Sequence, residues 1–83
     1  MKREFLINIT MENAQCIATV CNEIKSQFDV YIDIKYGRQI IDGSSVLGVY
    51  SLVNHLVIVC PVTDDEEVLR VIFDKFVPLG AFN

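Results

Sequence analysis

"VYIDIKYGRQIIDGSSVLGVYSL", residues Val30 to Leu52, changes its period twice. Val30, Ile32, Ile34 and Tyr36 alternate with Tyr31, Asp33 and Lys35, the period of a strand that buries one face. Gly37-Arg38 is a tight-turn signal, and Gln39-Ile40-Ile41 supplies a short returning strand before Asp42-Gly43 breaks it. Beyond the break, Val46, Val49 and Tyr50 stand at i, i+3 and i+4, with Ser45 placed to cap the first turn. This second helix is short and Gly48 weakens it. A hairpin that runs straight into a helix calls for a sheet whose helices pack on one side.

The flanks supply the remaining elements. Upstream, "EFLINI" alternates Phe5, Ile7 and Ile9 against Leu6 and Asn8, which predicts a strand. From Asn13 the period becomes helical: Ile17, Val20, Cys21, Ile24 and Phe28 share a face, Asn22, Glu23 and Ser26 lie opposite, and Asn13 is the expected N-cap. Downstream, "LVIVC" is apolar and β-branched and reads as a buried strand that Pro61 ends. Thr63-Asp64-Asp65-Glu66 reads as a capping box for a third helix carrying Val68, Leu69, Ile72, Phe73 and Phe76 on one face, until Pro78 and Gly80 stop it. The expected class is α+β in the order β-α-β-β-α-β-α.

The totals narrow the function classes. A chain of 83 residues with 52% hydrophobic and 22% charged residues holds one thin-cored domain, expected to span residues 1–83. It should bury roughly 60 to 65% of the surface its unfolded form exposes. Seven bases, Lys2, Arg3, Lys25, Lys35, Arg38, Arg70 and Lys75, are scattered against eleven acids, for a net charge of -4. Such a chain offers no basic stripe to nucleic acid or to an anionic membrane. No apolar run approaches the ~20 residues of a membrane span, and "MKREFLINIT" lacks a signal peptide's apolar core, so the expected location is the cytoplasm. Cys16, Cys21 and Cys60 form no C-x-x-C pair and are expected as reduced thiols; with His55 the only histidine, no metal site and no cofactor are expected.

"IIDGSSVLGVYSL", Ile40 to Leu52, resembles the segment around the regulatory serine of HPr, the histidine phosphocarrier of the bacterial phosphoenolpyruvate:sugar phosphotransferase system. In that family a serine is followed by two apolar residues, Gly, an apolar pair and Ser-Leu, a pattern that Ser45 to Leu52 fits. The similarity runs from about Glu4 to Phe76. It implies the HPr-like open-faced β-sandwich, a four-stranded antiparallel sheet with three helices on one face.

The same resemblance places the family's phosphoacceptor motif, Gly-Leu-His-Ala-Arg-Pro-Ala, on Glu12, Asn13, Ala14, Gln15, Cys16, Ile17 and Ala18, where only the last alanine is shared. Ala14 takes the histidine position, and a methyl group cannot accept phosphate. The basic residues with which the family meets acidic Enzyme I correspond here to Cys16, Glu23, Ser26, Ser44 and Gly48, a loss that should slow encounter as well as weaken it. The implied protein is not an enzyme. It is a regulatory or protein-binding module akin to the HPr-like catabolite repression proteins, which also lack the histidine and keep the serine.

Each candidate residue carries two readings. Ser45 is a helix cap, a phosphorylation site for a serine kinase, or both. Cys16 is a small residue at a helix start or, as a thiolate, a phosphoryl carrier or redox sensor. His55 is expected as a solvated loop histidine, and Cys21 and Cys60 as packing residues. Cys16 and Thr19 on the first helix, with Val46, Leu47 and Tyr50 on the second, form the implied partner-binding set, for a serine kinase or a transcriptional regulator. A monomer or a strand-exchanged homodimer is expected, and an HPr-fold interaction domain outside the phosphotransferase system is the remaining alternative.

Overall fold

The computed structural model describes residues 3–83; Lys2, one of the scattered bases, lies outside them. Four strands, β1 (Phe5–Asn8), β2 (Ile32–Tyr36), β3 (Gln39–Asp42) and β4 (Leu56–Pro61), form one antiparallel sheet in the order β1-β4-β2-β3. The helices are α1 (Ala14–Phe28), α2 (Val46–Tyr50) and α3 (Glu66–Phe76), and a short 3-10 turn at Val77–Leu79 follows α3. The expected α+β class, element order and open-faced architecture are all present.

Strand parity builds the core. Phe5 and Ile7 of β1 with Ile9 just beyond it, Ile32 and Ile34 of β2, and Val57 and Val59 of β4 are buried. Ile17, Cys21 and Ile24 of α1, Val49 of α2 and Ile72 and Phe76 of α3 close over them. Phe5 packs edge-on to Phe73, with ring centroids 5.2 Å apart, and lies 5.4 Å from Phe76, which fixes α3 over β1. Each such fully buried aliphatic or aromatic side chain contributes about 1.5–3 kcal/mol.

The other face stays open, with Leu6, Ile58, Lys35 and Ile40 aligned across it by the strand registers. Its β1 edge is closed by the C-terminal tail: Leu6 and Phe82 exchange backbone hydrogen bonds of 2.8 and 2.9 Å. Nothing in the pattern of residues after Gly80 announces this fifth, single-residue strand.

The hairpin turns at Gly37, whose φ of +60° suits the first central position of a two-residue type II′ turn. Gly43 has a different role. A Cβ there would lie 2.7 Å from Cys21 Sγ and 2.9 Å from the Ile32 carbonyl oxygen, so glycine is required by the close approach of α1 and β2.

Two expected caps are corrected. Asn13 makes no side-chain cap to α1. Its carboxamide oxygen accepts from Thr10 N–H at 2.8 Å, and its Nδ2 donates to the carbonyls of Asn8 and Leu79 at 2.9 and 3.0 Å. At α3 the cap is Asp65, whose Oδ1 accepts from the amides of Glu67 and Val68, while Thr63 Oγ1 only accepts from Asp65 N–H. A carboxylate at this place also complements the positive end of the helix dipole.

Candidate functional site

The site begins where β1 passes into α1. Thr10 and Asn13 bond reciprocally, Asn13 N–H donating to Thr10 Oγ1 at 3.1 Å, and Asn13 ties this turn to Leu79 across the chain. The first turn of α1 therefore has a rigid base made of residues far apart in sequence. Beside it runs an open groove of about 470 Å3 lined by Thr10, Glu12, Asn13, Cys16 and Leu79, among others, with no basic residue among its lining. Such a groove does not favour a free anion, because Glu12 stands where a cation would be needed.

Ala14 opens α1 and is fully buried, so the implied phosphoacceptor position presents neither a nucleophile nor a surface. Cys16, two residues on, is exposed and faces the groove. Cys21 and Cys60 are buried. Burial, reinforced by Asp42, pushes the Cys21 thiol up to about 12. Burial and a 3.2 Å hydrogen bond to Glu4 push Cys60 up to about 11. Cys21 is the expected core residue; Cys60 packs on the open face under Glu4 instead, because β4 turns its even-numbered residues away from the helices.

α2 stands beside α1. Asn22 Nδ2 donates to the Ser44 carbonyl at 3.0 Å, bridging the first helix to the loop that launches the second. In that loop Asp42 Oδ1 accepts from both Ser44 N–H and Ser44 Oγ–H, at 2.9 and 2.7 Å. These bonds, the side-chain one foremost, hold the Asp42 carboxyl below its ordinary range against a small opposing effect of burial. Ser45 then caps α2: its exposed Oγ accepts from Gly48 N–H at 3.1 Å.

The expected apolar face of α2 divides. Val49 is buried and Tyr50 packs partly against the core, whereas Val46 is 37% and Leu47 85% exposed. Val46 therefore does not share the core face, since five residues make too little helix to turn it inward. Thr19 is exposed on α1, with its hydroxyl donating to the Gln15 carbonyl at 2.9 Å. Packing of α1 against α2 brings Cys16 and Thr19 onto the helix that adjoins Val46, Leu47 and Tyr50.

Met11, 65% exposed in the turn before α1, adds an apolar side chain that periodicity could not flag because it lies outside every element. His55 lies in the expected loop but is only partly solvated. It is half-buried just before β4, with its ring 4.4 Å from that of Tyr36, and its carbonyl accepts from Ile9 N–H. Among the described residues no cluster of three or more metal-ligating side chains occurs, and no helix is long and apolar enough to cross a membrane.

No protein-family model matches this chain, and no curated protein matches it significantly. Two solved structures are similar to it. The crystal structure of the phosphocarrier protein HPr from Bacillus anthracis str. Ames superposes with a TM-score of 0.58 at 16% identity, covering 87% of this chain and 93% of that one. The crystal structure of HPr-C-His from Thermoanaerobacter tengcongensis gives a TM-score of 0.60 at 23% identity, covering 93% and 97%. Strand order, helix placement and these two superpositions agree: this chain has the fold of the HPr phosphocarrier proteins.

Proposed function

We propose that this protein is a single HPr-like domain of the cytoplasm that does not relay phosphate through histidine and instead binds protein partners through α1 and α2. One observation carries the reading: α2 holds Leu47 and Val46 out to solvent next to a helix start whose Ala14 is sealed inside. Exposing apolar groups costs about 25 cal/mol per Å2, and a patch of them beside polar surroundings is the usual mark of a protein-docking site. Hot spots of this kind need no catalytic group. The role is regulatory and non-enzymatic, and a serine kinase or a transcriptional regulator fits the surface in kind.

Ser45 is the switch in this reading. Its hydroxyl is exposed while it caps α2, so a phosphate there would keep an acceptor at the helix start and add nearly two negative charges beside Leu47. The test is intact mass after two treatments. ATP with an HPr serine kinase should add about 80 Da that Ser45→Ala abolishes, and phosphoenolpyruvate with Enzyme I should add nothing. A gain in the second treatment refutes the reading. If that gain maps to Cys16, whose exposed thiol lines the groove, the chain is a cysteine phosphocarrier.

A further inference from the structure

The sheet has two edges and only one is closed. β1 is covered by Phe82, whereas β3 ends the strand order with no described residue paired to its outer side. An unpaired edge is a row of backbone donors and acceptors ready to add another strand. We propose that β3 pairs antiparallel with β3 of a second copy of this chain, in the register that sets Ile40 opposite Ile40.

Backbone phase limits the choices. Tyr36 and Gln39 close a two-residue turn and so form a hydrogen-bonded pair; alternation makes Ile34–Ile41 the next such pair and Ile32–Gly43 the one after. The Gly43 N–H to Ile32 carbonyl bond of 2.8 Å lies in that phase. The amides of Ile40 and Asp42 therefore point away from β2, toward the free edge. A two-fold axis through Ile40 lets the two Ile40 residues exchange both backbone bonds. An axis through Ile41 keeps the same phase but sets Ile40 against Asp42, apolar against charged.

Side chains favour the first register as well. Ile40 is 61% exposed, the most exposed residue among the apolar side chains of the sheet. Arg38 lies two residues before it and Asp42 two after, so the axis through Ile40 sets each Arg38 opposite the other copy's Asp42. Within one copy, Asp42 stands across from Asp33 in the strand register, while Lys35 is committed to Glu4 at 3.8 Å. Arg38 makes no ion pair among the described residues, so across the axis it is free to meet the Asp42 of a second copy, whose Oδ1 already accepts from Ser44. Pairing consumes the free edge of both copies, and with β1 covered the assembly closes at two.

The test is sedimentation equilibrium across a concentration series in low salt, with Ile40→Lys and Arg38→Asp as variants at exposed positions and circular dichroism to confirm their folds. The expected result is a monomer–dimer equilibrium, from 9.4 kDa to twice that mass, with each variant weakening Kd by about tenfold or more. Mixing Arg38→Asp with Asp42→Arg should restore association, because both cross-pairs become attractive. A parent protein that stays monomeric to about 1 mM, or a dimer indifferent to Ile40→Lys and Arg38→Asp, overturns the proposal. Indifference of that kind would point to strand exchange. If Asp42→Arg fails to fold, the two other variants still decide the matter.

Discussion

Replacing Gly43 by alanine tests whether the loop before α2 is held by steric fit. The φ of Gly43 lies outside the left-handed region, so alanine meets no backbone penalty there and gains about 0.4–1 kcal/mol from a less flexible unfolded chain. Against that, the new methyl would sit 2.7 Å from Cys21 Sγ and 2.9 Å from the Ile32 oxygen, where carbon contacts normally begin near 3.5 Å. Overpacking of this degree costs about 1–3 kcal/mol, and displacing Gly43 stretches its 2.8 Å bond to Ile32, about 1 kcal/mol more. The net expectation is a loss of about 2 kcal/mol. For a chain of 83 residues that is a fall in Tm of about 8–16 °C. Urea denaturation measures it, and Cys21→Ala dissects it. Removing the sulfur relieves one clash and leaves the carbonyl, so the double variant should be less destabilised than the sum of the single ones by about 1 kcal/mol. A Gly43→Ala protein within about 0.5 kcal/mol of the parent, or strict additivity in the cycle, refutes the steric account.

Two further outcomes follow from the thiols and from the Asp42 turn. A maleimide added to the native protein should label Cys16 alone, with Cys21 and Cys60 reacting only after unfolding, because both are buried and their thiols are pushed up to about 12 and about 11; mass spectrometry of the digested adduct reads this directly. Asp42, held below its unfolded value near 3.9, contributes stability that is present above that pH and lost as pH falls through its lower folded value. Ser44→Ala should therefore raise the Asp42 midpoint in a carboxyl NMR titration and lower stability at neutral pH but not in strong acid; an unmoved midpoint would assign the effect to something other than Ser44.

Periodic features of this fold are legible in the chain, and single long-range contacts are not. Phe5, Ile7 and Ile9 announce β1 because a strand's period is two, and the apolar face of α3 reads as clearly through Leu69, Ile72 and Phe76. Ser45 is found as a cap because its partner, Gly48, is three residues away. Asn13 misleads for the opposite reason: its amide goes to Leu79, 66 residues on, and no local rule anticipates that distance. Asp65 displaces Thr63 because three candidate caps stand together and only the start of α3 at Glu66 chooses among them. Of the candidate site, the residue set on α1 and α2 can be named from sequence. Which side chains face water, Val46 and Met11 above all, depends on how five residues of α2 meet the core.

The pairing of Leu6 with Phe82 has a consequence for the chain as a path. It brings the first strand and the tail into direct register, so the described backbone runs almost full circle and its two ends leave from one corner of the molecule. That corner lies at the β1 edge, across the whole sheet from β3. A fused segment at either end would therefore project from the side remote from the hairpin. A circular permutant would need only a few linker residues to join the ends and could open at Gly37, where the turn is exposed and no other group lies within 4 Å of the Cβ position.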